Sequence, residues 1–300
     1  MRTEFKLVYE YISEEPQTIK QFIFKKDLPR KFMSSVKHSG GKILLNNDEV
    51  TVRANLSKGD ILTIIPPIEE GHETIPSSSV PIEIIYEDRD ILVINKPENV
   101  ISIPSRRTPD VSIANRIKGY YERQNYLNKV IHIVTRLDRN TTGLMLIAKH
   151  RLAHALLDRQ IRQGEIERYY YAITHNAKWE DHGIIDAPIA RCKDSIITRQ
   201  VHSSGKPSKT EYWLEERYKD SALLRLQLHT GRTHQIRVHL SYALAPLVGD
   251  DLYGGVIDNL LKRQALHCGE LRLKHPFTQE LLIIQQKLPR DMQEWIEMNR

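Results

Sequence analysis

The apolar segments of this 300-residue chain constrain its fold most: they are mostly short, β-rich runs, and helical stretches fall between them without regular alternation. Residues 82–97 read as two β-rich runs around a Glu87-Asp88-Arg89-Asp90 turn, and residues 143–148, 168–173, 223–228 and 235–240 read as further strands. Residues 112–124 read as a helix, and residues 150–163 carry apolar positions at helical spacing. A doubly wound fold would show an even strand–helix rhythm, so the pattern predicts the α+β class.

Residues 65–81 are rich in Pro, Ser and Glu and lack periodicity, which is how a linker between folded units looks. The chain is therefore expected to comprise a first unit at 1–66, a linker at 67–81 and a second unit at 82–300. In the first unit, residues 18–24 and 29–36 are expected to form short helices carrying Lys20, Lys25, Lys26, Arg30, Lys31 and Lys37. A Gly40-Gly41 break follows, then a hairpin of residues 42–45 and 50–52 around Asn46-Asn47-Asp48, then a strand at 60–65.

Composition narrows the functional classes. A content of 40% hydrophobic and 27% charged residues is ordinary for a globular chain, and a net charge of +6 leans toward a polyanionic partner. No apolar run approaches the roughly 18 to 20 residues that cross a bilayer, and the start lacks a signal-peptide core, so no membrane role and a cytoplasmic location are expected. Cys192 and Cys268 have no CxxC companions, which argues against a disulfide framework or a structural zinc. Neither GxxxxGK[ST] nor GxGxxG occurs, HExxH is absent, and His229, His234 and His239 lie at a spacing that suits no metal site, so no cofactor and no metal are expected.

The informative string is Thr135-Arg136-Leu137-Asp138-Arg139-Asn140-Thr141-Thr142-Gly143. Taken alone it is a polar turn entering a buried strand, with Asp138 paired to a neighbouring arginine. It also closely resembles the RLD-x-x-[ST]-[ST]-G signature of the RluA-type RNA pseudouridine synthases. Further segments follow in the family's order. Arg168-Tyr169-Tyr170-Tyr171-Ala172 resembles its basic-x-Tyr-x-Ala strand, Lys209-Thr210 its Lys-[AST] pair, and residues 230–240 its TGRxHQIRxH block. Asp250, Tyr253 and Gly254, then Leu266-His267 and His275-Pro276, complete the series. The chain departs from the pattern at Thr135, where the family commonly has His, at Thr142 (often Ser) and Arg168 (often Lys), and at residues 98–104 in place of a G-x-x-V-H-P segment. The first unit, basic helices and then a small sheet, resembles the S4 RNA-binding domain in pattern; the alternative is that its charges are simply a solvated helix face.

The resemblance implies a catalytic domain with a central mixed, largely antiparallel sheet flanked by helices, beside a small S4-like α/β RNA-binding domain. It implies isomerisation of uridine to pseudouridine in structured RNA, 23S ribosomal RNA ahead of tRNA, through Asp138; the oligomeric state is open, with a monomer as the default expectation. A carboxylate can attack C1′ as a nucleophile or act as a base at C2′ to give a glycal, and both routes stay open. Burial disfavours the ionised carboxylate, so an opposite charge is required nearby. The resemblance assigns this to Arg237, the alternative being a surface ion pair of little worth. Tyr170 is expected to stack on the flipped uracil with its hydroxyl placed to assist near C5, and Tyr169 and Tyr171 to face the other side by strand alternation. Arg136 has two readings, filling the space the flipped base vacates or contacting a phosphate. Arg232, His234 and Lys209 are expected to hold the RNA backbone or support the Asp138 loop, and His239 and Asp250 to fix turns and strand ends. Competing readings are a non-catalytic RNA-binding factor and a small-molecule nucleoside hydrolase.

Overall fold

The computed structural model describes residues 5–69, 71, 74–104, 112–257 and 259–300; residues 1–4 of the first unit and Glu70, His72 and Glu73 of the expected linker lie outside them. The second unit is built on a ten-stranded sheet. Its strands run in the spatial order His182–Asp186, Lys209–Arg217, Ser221–Leu228, Glu167–His175, Leu266–Lys274, Thr142–Ala148, Ile91–Lys96, Glu83–Glu87. Leu281–Gln285 pairs with Leu266–Lys274, and His132–Ile133 with Thr142–Ala148. All neighbours are antiparallel except the short parallel contact of Thr142 and Gly143 with His267 and Cys268. The sheet is thus mixed and largely antiparallel, flanked by the helices Ile113–Arg123, Arg151–Gln163 and Gln235–Tyr242, an α+β arrangement.

Thr142–Ala148 is buried at every residue, as befits a strand with both faces covered. Its Leu144, Leu146 and Ile147 join Ile91, Leu92 and Val93 and the helix residues Ile113, Ile117 and Tyr121 in the main core. One expected strand is a helix instead: residues 235–240 belong to the helix Gln235–Tyr242. Every residue from Gln235 to Leu240 is buried, so the segment lacks the one-sided apolar stripe by which an amphipathic helix announces itself.

In the first unit, Thr18 and Gln21 form a capping box that starts the helix Ile19–Lys25, and the helix Arg30–His38 follows. The strands lie in the order Leu7–Glu10, Ile61–Ile65, Lys42–Leu45, Asp48–Glu49. The hairpin returns at Asp48–Glu49 rather than at residues 50–52, because Asn46 and Asn47 both adopt positive φ (49° and 76°) and close a two-residue turn. Leu152 and Leu156 of the helix Arg151–Gln163 enter this unit's core, Phe5 stacks on His150 at 3.8 Å, and Asp27 pairs with Arg159. The connecting segment is fastened at Glu69, whose carboxylate bonds His132 Nε2 (2.6 Å) and the Arg151 backbone N–H (2.7 Å).

Candidate active site

The sheet register brings the separate motifs together. Gly143 pairs with Cys268, which pairs with Tyr170, so the loop entering Thr142–Ala148 faces the Tyr170 strand. Gly143 is required there: its φ is +109°, and a Cβ would lie 2.2 Å from the Cys268 carbonyl oxygen. The Asp138 loop is then fixed by side chains. Thr135 Oγ1 accepts the Leu146 N–H at 2.9 Å, and Ser102 Oγ both accepts from Leu137 N–H (3.1 Å) and donates to its carbonyl (2.7 Å). Two departures from the family pattern, Thr135 and residues 98–104, therefore supply their own loop supports.

Lys96, which the sequence reading passed over, lies beneath the same loop. It is wholly buried, and Nζ donates to the carbonyls of Pro97 (2.7 Å), Val100 (2.8 Å) and Arg139 (2.9 Å). Three acceptors match the three protons of an ammonium, so the residue joins the end of its own strand to the residue after Asp138. Burial pulls its pKa down to about 7, against the opposing pull of the Asp138 charge. Above that pH the folded protein loses a proton that the unfolded chain keeps to near 10.5, so folding is favoured increasingly as pH rises between those values. Relative to Lys96→Met, wild type should gain up to about 1.4 kcal/mol per pH unit from pH 7.5 to 9.5. Urea denaturation at several pH values measures this, and a constant difference between the two proteins would refute it.

Loop, strand and helix enclose a cleft of about 750 Å³. Five arginines line it, Arg136, Arg162, Arg168, Arg232 and Arg237, and among the described residues Asp138 is its only acid. That excess of positive charge suits a phosphodiester chain. The Asp138 carboxylate is 26% exposed; Oδ2 lies 3.6 Å from Arg237 Nη1 and Oδ1 lies 4.0 Å from His234 Nε2. Tyr170 is nearly buried in the cleft wall, while Tyr169 packs against Arg225 (4.2 Å) and Tyr171 against the Met292 cluster. Burial raises the Tyr170 hydroxyl above its ordinary pKa, beside a Cys268 thiol that burial pushes up to about 12.

The expected electrostatic partner of Asp138 has a closer attachment. Arg237 is 7% exposed and forms a bidentate pair with Asp250, through Nε at 2.8 Å and Nη2 at 2.7 Å. Burial opposes the Arg237 charge, but Asp250 outweighs it and holds the guanidinium above its ordinary pKa. Asp250 thus aims Arg237, rather than only fixing a turn, and Nη1 is left to reach Asp138. Tyr253 lies under the guanidinium at 4.9 Å and bonds His234 Nδ1 at 2.8 Å. His239 does act within the scaffold, bonding Thr210 Oγ1 and the Ala187 carbonyl. Arg136 and His234 line the cleft, and Arg232 lines it while donating to the Pro207 carbonyl at 3.2 Å. Lys209 is not among the lining residues; its backbone bonds the Thr230 hydroxyl and Gln235 at the cleft's edge. Lys96, Ser102, Asp250 and Tyr253 were not singled out for the site by the sequence, where only the Lys-Pro pair after a buried run and the Asp250–Tyr253 spacing hinted at them.

Comparison with known proteins identifies the family. Residues 90–242 match the family model described as RNA pseudouridylate synthase. The uncharacterized RNA pseudouridine synthase YjbO of Bacillus subtilis is 42% identical over 280 residues, covering 93% of this chain and 98% of that one. Ribosomal large subunit pseudouridine synthase D of Haemophilus ducreyi is 36% identical, covering 85% of this chain and 84% of that one. Among solved structures, the human RNA Pseudouridylate Synthase Domain Containing 4 shares the fold at a TM-score of 0.60 and 23% identity, over 72% of this chain and 92% of that one. The chain belongs to the RNA pseudouridylate synthase family and is an RNA pseudouridine synthase, an isomerase.

Proposed function

We propose that Asp138 is the reacting carboxylate and that the substrate is a uridine of large-subunit ribosomal RNA. The observation that carries the first half is the solitary acid: Asp138 is the one carboxylate among the described residues lining a cleft walled by arginines. In the reaction the C1′–N1 bond breaks, the uracil turns within the cleft, C5 bonds to C1′, the C5 proton leaves and N1 gains a proton. Asp138 starts this by attack at C1′ or by taking the C2′ proton. Tyr170 serves as a wall against which the base turns, with a hydroxyl that burial holds protonated before RNA binds. Arg136, exposed and without a carboxylate partner among the described residues, is free to enter the space the base vacates or to take a phosphate.

The ribosomal target rests on the likeness to the large-subunit synthases and on the first unit. We read residues 1–66 as an S4-like RNA-binding domain, because Lys20, Lys25, Lys31 and Lys37 are all exposed on its two helices. A monomer working in the cytoplasm, where ribosomes are, fits this reading. Comparing pseudouridines in total RNA from cells with and without the protein tests the target. Loss of one or a few large-subunit positions is expected; an unchanged ribosomal map with a lost tRNA site would contradict it.

Replacing those four lysines with Gln in the full chain should weaken binding to long RNA and make it less salt-sensitive. Each lost phosphate contact should reduce the log–log salt slope by about 0.7 to 0.9. A variant that binds as tightly as wild type across the salt titration would remove the first unit from the RNA interface.

A further inference from the structure

His234 occupies an unusual position. It adopts a left-handed backbone (φ 59°), sparsely populated for a residue with a Cβ, immediately before the helix Gln235–Tyr242. Its two ring nitrogens face different partners: Nδ1 lies 2.8 Å from the Tyr253 hydroxyl, and Nε2 lies 4.0 Å from Asp138 Oδ1. Which nitrogen carries the proton decides whether Asp138 meets a donor or a lone pair.

The neighbours of Tyr253 settle that choice. Its hydroxyl already accepts the Arg199 backbone N–H at 3.0 Å, and among the described residues the only other polar group bonded to it is His234 Nδ1. If Nδ1 also donated, the hydroxyl would receive two hydrogen bonds and have no acceptor for its own proton among the described residues. The satisfied arrangement has Tyr253 donating to Nδ1 and the proton of the neutral ring on Nε2. Burial lowers the His234 pKa, which favours that neutral ring despite the nearby Asp138 charge.

We propose that Tyr253 is a positioning residue: by donating to His234 Nδ1 it fixes the Nε2–H tautomer, so that His234 presents a donor to Asp138 Oδ1 while Arg237 faces Oδ2. This rests on the reading of Asp138 as the reacting carboxylate. The carboxylate then has one oxygen addressed by each neighbour. Contacts of 3.6 and 4.0 Å are loose enough to shorten when RNA closes the cleft, as catalytic hydrogen bonds often do on substrate binding. The opposite tautomer would set a nitrogen lone pair against the carboxylate and turn it away.

Tyr253→Phe removes the hydroxyl and keeps the ring beneath Arg237. Its single-turnover rate should fall by about tenfold or more, with RNA affinity within about twofold of wild type. His234→Gln carries an amide N–H to roughly the place of Nε2 and needs no tautomer control, so adding Tyr253→Phe to it should cost nothing further. Equal fold-losses in both backgrounds would show that Tyr253 acts by another route and overturn the proposal. The tautomer itself is read from ¹⁵N–¹H spectra of histidine-labelled protein, with the His234 signals identified by their loss in His234→Gln. Wild type should show Nε2–H, and Tyr253→Phe a mixture; Nδ1–H in wild type would overturn the proposal. Because this measurement needs no turnover, it is independent of whether Asp138→Asn remains active, the outcome that would sink the Asp138 assignment instead.

Discussion

Asp138→Asn should abolish isomerisation and leave RNA affinity within a few fold of wild type. The substitution preserves shape and the Thr141 N–H bond to the residue 138 carbonyl, so the loop keeps its course. What it removes is the negative oxygen that attacks C1′ or takes the C2′ proton, and an amide performs neither task. Affinity comes from many contacts along the arginine-lined cleft and the basic first unit, to which one carboxylate adds nothing favourable. Single-turnover kinetics on an unmodified transcript, with filter binding in parallel, measure both quantities. A rate within about tenfold of wild type would show that another group does the chemistry.

Arg237→Met should damage the protein in two separable ways. Removing the guanidinium leaves the Asp250 carboxylate, 1% exposed, without its bidentate partner, and breaking a buried pair from one side costs about 3 to 5 kcal/mol. It also strips Asp138 of the cation at 3.6 Å, so activity should fall by orders of magnitude. Combining Arg237→Met with Asp250→Leu removes the stranded charge and should recover much of the stability but none of the activity. Urea midpoints and single-turnover rates of the two variants separate these effects. Recovery of activity together with stability in the double variant would mean that Arg237 serves only the scaffold. Arg237→Lys should fall between, since an ammonium keeps the charge but cannot make the planar fork to Asp250.

The site was legible where its residues are consecutive and its geometry local. Asp138 and Tyr170 were singled out through the resemblance of their consecutive residues to a family pattern, while the local physics gave only a polar turn at residues 138–143 and the alternation of Tyr170 with its neighbours. The strands at residues 143–148, 168–173 and 223–228 were legible as short β-rich apolar runs. What escaped depends on contacts across the fold. Lys96 reaches the Arg139 carbonyl across 43 residues and Ser102 reaches Leu137 across 35, and neither spacing has a period. The helix Gln235–Tyr242 was misread because burial of every residue from Gln235 to Leu240 erased its polar face, and with it went the view of Arg237 as a helix residue held by Asp250.

The most direct test of the chemistry uses a transcript carrying tritium at C5 of uridine. Each isomerisation exchanges the C5–H bond for a C5–C1′ bond, so tritium enters water while the uracil ring stays attached to the RNA. Wild type should release tritium in step with pseudouridine formed and should free no uracil, and Asp138→Asn should release none. Free uracil from the wild-type reaction would indicate a hydrolase, and tritium release by Asp138→Asn would contradict the central role given to that carboxylate.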